Sequence, residues 1–470
     1  MSLPAFKPTH FFTRLEYFLS VSSLPQAIQS LSRKLEKLDI HPQGEPIIQL
    51  SVTACVMPMI AWIASQPCYP RIYWHGRDTQ EEVAALGCCK DFIFEDAVDD
   101  NQLSQAYQTQ RSLSTNQEIR YYGGVAFDRH TECWPEYGRA HFILPRVELR
   151  RSGDEYKLLV NLNVESRDIE QERNLALQAL AALVPPKPLA PPNKIQLLSR
   201  SDRPNKLRWH ELVNQVTHDR FIQDTPKVVL SRLTQLEVNE KVDPWMLLAS
   251  WQGRNQNSFQ FGFQFSPESA FISCTPERLY RRRQREVFTE ALAGTTTRGL
   301  NEAEDALLAQ QLLDDTKNSH ENQLVREHIV DALTPLSNYV GADELAKVFK
   351  LSHIQHLHRA IRAELKPGVN DFQILQALHP TPAVGGLPKA SAINFIRQRE
   401  GYTRGWYAGA CGYFNKYESE FAVAIRSALI EPGRINLFAG AGIVSGSEAE
   451  AEWNELENKL KTIMSILTEV

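Results

Sequence analysis

This sequence of 470 residues lacks a basic excess, a disulfide spacing, a membrane-length apolar run and an internal repeat. Lysine and arginine number 51 against 56 aspartates and glutamates, a net charge of −5, which argues against the cationic surface that nucleic-acid binding requires. The one basic cluster, Arg281-Arg282-Arg283-Gln284-Arg285, lies between two strand-like runs and reads as an exposed hairpin turn. Seven cysteines, an odd number with no C-x-x-C pair, fit reduced thiols in a cytoplasm better than a disulfide frame. The most apolar window, 47–64, carries Gln49, Ser51, Thr53 and Pro58, so no membrane span is expected. Residues 1–20 are interrupted by Lys7, His10, Arg14 and Glu16, and no export signal is expected there. His320-Glu321 is not a zinc motif, because residue 324 is Leu. Gly294-Thr295-Thr296-Thr297-Arg298-Gly299 has the small and hydroxylated residues of an anion-cradling loop, without the spacing of a P-loop or a Rossmann turn. A cytoplasmic globular protein of one large domain or two ordinary ones is expected.

Helix and strand signals are mixed along the chain. Helices are expected over 11–38, 59–65, 169–183, from Trp209 to near Phe221, and from Asp243-Pro244, which places proline in a first turn, to Trp251. One long helical tract is expected over 302–333. Strands are expected at 71–74, 119–124, 227–232, 259–265, 271–274, 407–414, 420–429 and 435–438, with a hairpin of 141–149 and 156–164 around Ser152-Gly153-Asp154. Adjacent strands on short turns with scattered helices predict an α+β architecture of large, mainly antiparallel sheets with flanking helices. In 184–192, five prolines fall within eight residues, which no helix can continue through. A sequence boundary is placed there. It separates an N-terminal α/β half, 1–190, that contributes to the scaffold from a catalytic region, 196–470, although both halves can share one sheet.

The end of the chain is the most informative stretch. Trp453, Leu456, Leu460, Ile463 and Leu467 repeat at helical spacing, the mark of a face packed on a core. Glu448, Glu452, Glu455 and Lys459 fall within an arc of about 60° that borders this stripe. Stacked carboxylates repel unless something positive sits among them. A solvated acidic stripe is the plain alternative, but the small residues just before it, Ala439-Gly440-Ala441-Gly442, would let backbone N–H groups approach an anion. Glu321 stands on an otherwise apolar helix face with Leu324 and Val325, expensive to bury unless paired or metal-bound. Pairing with Lys317 is its ordinary reading. Together with Glu452 and Glu455 it would make an all-oxygen site suited to Mg²⁺. Lys227 opens an apolar strand. An exposed strand end is the ordinary case, whereas a lysine working as a base must be stripped of most of its proton affinity by burial or a nearby cation. Glu277, beside Pro276, reads alone as a loop glutamate. His379-Pro380-Thr381-Pro382-Ala383-Val384-Gly385-Gly386 reads alone as a tight turn.

Taken in order, several segments resemble the chorismate-utilising enzymes, and within them isochorismate synthase. They are Thr225-Pro226-Lys227-Val228-Val229-Leu230-Ser231-Arg232, Thr275-Pro276-Glu277-Arg278-Leu279, Ala291-Leu292-Ala293-Gly294-Thr295, His320-Glu321, His379-Pro380-Thr381-Pro382-Ala383, Ala424-Ile425-Arg426, Ala439-Gly440-Ala441-Gly442-Ile443-Val444 and Glu452-Trp453-Asn454-Glu455. The resemblance runs from about residue 200 to the end, and the overall layout is similar to the menaquinone-pathway form. It implies the chorismate-binding fold and a Mg²⁺-dependent conversion of chorismate to isochorismate. By resemblance, Lys227 activates water, Glu277 protonates the leaving hydroxyl, and Glu321 and Glu455 hold Mg²⁺, with Glu452 acting through a water. Tyr407 and Arg426 match the anchors for the enolpyruvyl carboxylate, while Gly294, Thr295, Gly440 and Lys459 match pocket-lining positions. Ala383 and Val384 match the place where subfamilies differ towards the nucleophile. Anthranilate synthases carry glutamine where this chain has Lys227, so no glutaminase subunit is expected. Aminodeoxychorismate synthases carry a lysine where this chain has Ala293. Salicylate synthase, a siderophore-pathway isochorismate synthase and a non-catalytic dicarboxylate-binding homologue are the alternatives.

Overall fold

A computed structural model of the chain describes residues 23–39, 45–55, 57–78, 81–97, 99–113, 116–165, 168–189, 195–255, 257–351 and 354–468. The export-signal reading of 1–20, residues 11–22 of the first expected helix and residues 190–192 of the proline-rich stretch lie outside the described residues.

Among the described residues, twenty strands join in one sheet, and every pairing is antiparallel. From one end, Ser337–Ala342 and Lys347–Lys350 pair with Ile354–Leu365, which pairs with Glu286–Thr297. Arg278–Arg283, Glu418–Val423 and Ala410–Phe414 follow. The ladder then enters the N-terminal half through Tyr121–Val125, Ala140–Ser152, Glu81–Phe94 and Arg71–His75. It returns through Phe259–Gln264, Ala270–Thr275, Ser427–Glu431 and Arg434–Ile443 to Lys227–Val238. The segments 1–190 and 196–470 thus share the sheet at two seams, Tyr121–Val125 on Ala410–Phe414 and Arg71–His75 on Phe259–Gln264.

Local chemistry explains the elements. Asp243 caps the helix Pro244–Arg254, its side chain accepting from Trp245 N and Met246 N, with proline in the first turn. This helix covers the strand Phe259–Gln264, where alternate polar residues are buried beneath it. Gln264 Oε1 accepts from Trp245 Nε1 at 2.8 Å, and Gln260 Oε1 accepts from Gln252 Nε2 at 3.2 Å. The expected hairpin is present as Ala140–Ser152 and Glu155–Asn163. The last helix, Ala449–Thr468, buries its whole predicted stripe, Trp453, Leu456, Leu460, Ile463 and Leu467. Each such side chain is worth about 1.5–3 kcal/mol of apolar burial. No helix among the described residues is long and apolar enough to cross a membrane.

Four expectations are corrected. The helical tract over 302–333 is two helices, Glu302–Asp314 and Thr316–Leu333, because Asp315 leaves helical geometry and caps the second by accepting from Asn318 N. The strand over 420–429 is two, Glu418–Val423 and Ser427–Glu431, broken where Arg426 takes a φ of +48°. The helix from Trp209 to near Phe221 is two, Lys206–Thr217 and Asp219–Asp224, because His218 leaves helical geometry between them. The basic hairpin turn is real, but Arg282 within it is 2% exposed and ion-paired with Asp371.

Candidate active site

Residues from both ends of the ladder, Gly294 and Thr295 near one and Gly440 and Gly442 near the other, line a single cavity of about 320 Å³. The strand Lys227–Val238 reaches its floor at Val229, which pairs with Gly442. A Cβ on Gly442 would stand 3.2 Å from Lys227 Cε, so the glycine makes room for the lysine. Lys227 is 2% exposed, which removes the exposed strand-end reading. Its Nζ donates to Glu321 Oε1 at 2.6 Å, so Glu321, on the helix Thr316–Leu333, is held by Lys227 and not by Lys317 four residues away. Burial pushes the Glu321 carboxyl up, but Lys227, with Lys459 and Lys317 behind it, holds it below its ordinary range.

Glu277 sits in the short break between Ala270–Thr275 and Arg278–Arg283 and is 7% exposed. Its N–H donates to Thr275 Oγ1 at 3.3 Å, its carbonyl accepts from Val423 N at 3.0 Å, and its Oε1 accepts from Thr381 Oγ1 at 3.5 Å. Burial first, and then the charge of Glu290, push its carboxyl up to about 8, against Thr381, Lys227 and Lys459. Glu277 is therefore a protonated acid at neutral pH, and it lines the cavity whose wall Lys227 meets through Glu321 and Gly442.

The opposite wall comes from the last helix. Glu452, Glu455 and Lys459 line the cavity. Lys459 Nζ donates to Gly440 O at 2.7 Å and pairs with Glu455 Oε1 at 2.5 Å. Burial raises the Glu452 carboxyl, a hydrogen bond with Ser447 opposes this, and the charge of Glu455 raises it further. Among the described residues no group of three or more His, Cys, Asp or Glu side chains stands close enough to hold a metal as placed. The donor chemistry nevertheless fits a hard cation. Three carboxylates share one cavity wall, two of them are drawn to lysines, and the third resists ionisation beside its neighbour, all of which an added positive charge would relieve.

Tyr407, Arg426, Gly294, Thr295, Ala383, Val384 and Gly440 also line the cavity. Gly294 takes a φ of +80° at a bulge in Glu286–Thr297, a conformation that favours glycine. Thr295 N donates to Asn318 Oδ1 at 3.3 Å. A Cβ on Gly440 would come within 2.8 Å of the Tyr407 hydroxyl. Burial lowers the Arg426 guanidinium, while Glu455 and Tyr407 support its charge. Of the residues assigned to the site by resemblance, all but Lys227 line this cavity, and Lys227 touches its wall through Glu321 and beneath Gly442.

Sequence reasoning missed Asn318 and His356. His356 Nδ1 lies 2.8 Å from Thr295 Oγ1, and burial, then Arg426 and Lys459, push the imidazole down to about 3. Its signal was the alternation Gln355-His356-Leu357-His358, which sends both histidines to one face of a strand.

A model of the family described as chorismate binding enzyme matches residues 33–468. The chain is 35% identical over 449 residues to the isochorismate synthase MenF of Escherichia coli strain K12, spanning 94% of this chain and 99% of that one. It is 36% identical over 361 residues to the salicylate biosynthesis isochorismate synthase of Pseudomonas aeruginosa, covering 75% of each. Its structure is similar to that of MenF, the menaquinone-specific isochorismate synthase from Escherichia coli, with a TM-score of 0.86 at 33% identity over 94% of this chain and 99% of that one. It shares the fold of anthranilate synthase component I from Streptococcus pneumoniae, with a TM-score of 0.69 at 21% identity over 83% and 93% of the two chains. The α+β fold, the motifs in order and the convergence of those motifs on one cavity agree with these matches: the chain belongs to the chorismate-binding enzyme family.

Proposed function

We propose that this protein is an isochorismate synthase that adds water to C2 of chorismate as the C4 hydroxyl leaves and the ring double bonds shift. The observation that carries this reading is that Glu277 lines one small cavity with Glu321 and Gly442, and that Lys227 lies directly against that wall, donating to Glu321 and packed under Gly442. In its neutral amine form Lys227 takes the proton of the attacking water and becomes the ammonium that pairs with Glu321, and Glu277 gives its proton to the departing hydroxyl, which leaves as water. One C–O bond forms as another breaks, so substrate and product are isomers. Arg426 and Tyr407 orient the enolpyruvyl carboxylate, a task suited to a guanidinium fork. Glu321 and Glu455, with Glu452 through a water, would hold Mg²⁺, which when bound supplies positive charge to the ring carboxylate. Lys459, tied to Gly440 and Glu455, keeps that wall from collapsing into like-charge repulsion.

The menaquinone-specific name of the Escherichia coli relative supports a product that feeds menaquinone synthesis. Lysine at 227 supports water, and not ammonia, as the nucleophile, so the chain works without a glutaminase subunit. None of the seven cysteines, all among the described residues, is in a disulfide, which supports a cytoplasmic setting. The test is to incubate the protein with chorismate and Mg²⁺ and separate the products. Isochorismate alone is expected. Salicylate with pyruvate, or anthranilate on adding ammonia, would replace this reading.

A further inference from the structure

The side chain behind Glu277 belongs to a second network, one that the reaction as written does not use. Glu290, on the strand Glu286–Thr297, has a side chain only 4% exposed. Its Oε1 accepts from Arg77 Nη1 at 2.6 Å and from the Arg278 backbone N–H at 3.1 Å. Its Oε2 accepts from Arg77 Nη2 at 2.8 Å and lies 3.1 Å from His358 Nε2. Arg77 also donates to the Pro276 carbonyl, pairs with Asp78 at 2.9 Å, and stands over the rings of Phe259 and Phe349, at 5.5 Å and 5.0 Å from their centres. Arg278 is tied in turn to Asp78 at 2.6 Å and to Glu420 at 2.9 Å. The residues immediately before and after Glu277 are therefore both pinned, one by Arg77 and the other by Glu290. Arg77 and Asp78 come from the N-terminal half, which supplies no lining residue to the cavity among those described.

We propose that Glu290, clamped by Arg77 and His358, is a positioning residue that fixes the Pro276–Glu277–Arg278 turn and supplies a permanent anion behind the acid. This rests on the reading of Glu277 as the proton donor. Burial opposes ionisation of Glu290, but Arg77 and His358 hold its carboxyl well below the ordinary range. It stays charged wherever the enzyme works, and a fixed like charge disfavours ionisation of its neighbour. Three groups act the opposite way, Lys227 behind Gly442, Lys459 on the last helix and the hydroxyl of Thr381, while Tyr407 also faces Glu277 across the cavity. Glu290 is the charge that most raises the Glu277 carboxyl, so it offsets two lysines that would otherwise draw the proton off.

The test is the pH dependence of kcat and kcat/KM with chorismate and Mg²⁺ for the full chain and three variants, each checked for folding by circular dichroism. Glu290→Gln keeps an acceptor for the Arg278 N–H but removes the anion and leaves Arg77 with Asp78 as its remaining carboxylate, and both changes pull on Glu277 in the same direction. The alkaline limb should move down by about one pH unit, with activity lost above it and recovered below it. Glu290→Asp keeps the charge but is one methylene too short to reach Arg77 and the Arg278 N–H together. It should lower kcat about tenfold, leaving KM and the limb in place. A wild-type profile in Glu290→Gln, or wild-type kcat in Glu290→Asp should the first variant not fold, overturns the proposal. Glu277→Gln separates the two readings. If it retains turnover, the proton-donor role falls and this proposal with it; if it is inactive while the Glu290 variants behave as wild type, only the positioning role falls.

Discussion

Glu277→Gln should make the protein more stable, relative to wild type, as the pH rises, while abolishing turnover. The unfolded chain releases this proton near 4.5 and the folded protein near 8. Between those values the folded state binds the extra proton, so this group lowers stability as pH rises. The effect is absent below 4.5, grows through the window and levels off above 8. At roughly 1.4 kcal/mol per pH unit, the opposing contribution is about 3 kcal/mol at pH 7 and about 5 kcal/mol above pH 8. Glutamine keeps the size of the side chain and an acceptor for Thr381 Oγ1 but cannot ionise, so it removes the pH-dependent part alone. The assay is denaturant unfolding of both proteins at intervals from pH 4.5 to pH 8. The difference in unfolding free energy should change by about 3 kcal/mol in favour of the variant between pH 4.5 and pH 7. Turnover should fall by about 10²- to 10⁴-fold, as loss of a positioned acid does. A stability difference that does not vary with pH would show that the carboxyl is not held protonated by its surroundings, and the acid role would lose its physical basis.

Lys227→Ala should abolish turnover with chorismate while circular dichroism reports an intact fold; undiminished activity would remove the lysine as the base. Glu321→Ala and Glu455→Ala should each be inactive, and the wild-type protein should stop turning over in excess EDTA and resume when Mg²⁺ is restored. Activity that survives chelation would argue against the metal. Gly442→Ala would set a methyl 3.2 Å from Lys227 Cε and 3.6 Å from Glu321 Oε1. It is expected to lower kcat about tenfold by displacing the pair, and wild-type kcat would mean that the lysine tolerates displacement.

Much of the site could be read before any coordinates because its groups are local signals placed at strand and helix ends. Lys227 opens a strand, Glu277 follows a proline, and Glu452, Glu455 and Lys459 repeat on one helix face. The buried stripe from Trp453 to Leu467 was equally plain, since burial on one face imposes its period on the sequence. What escaped were features decided by distant partners. Glu290 and Arg77 are ordinary charged residues until a shared sheet brings them within 2.6 Å. His356 becomes a wall of the cavity only because its strand pairs with Thr295. The stop at Asp315 carried a local cue, an aspartate three residues before Asn318, but the helical pattern on both sides concealed it. The break at Arg426 has no local cue, because a left-handed arginine is held in place by its surroundings.

The two seams that sew Arg71–His75 to Phe259–Gln264 and Tyr121–Val125 to Ala410–Phe414 bear on how this enzyme can be taken apart. A truncated protein starting near residue 196 would keep every residue proposed for catalysis, yet present two raw edges of backbone donors and acceptors with nothing to pair against. Such a fragment should precipitate when produced alone and dissolve when its missing half is supplied in the same cell. Grafting the front half of a relative onto this chain would succeed only where both edges, and the Arg77 that reaches through them, are carried over as a set.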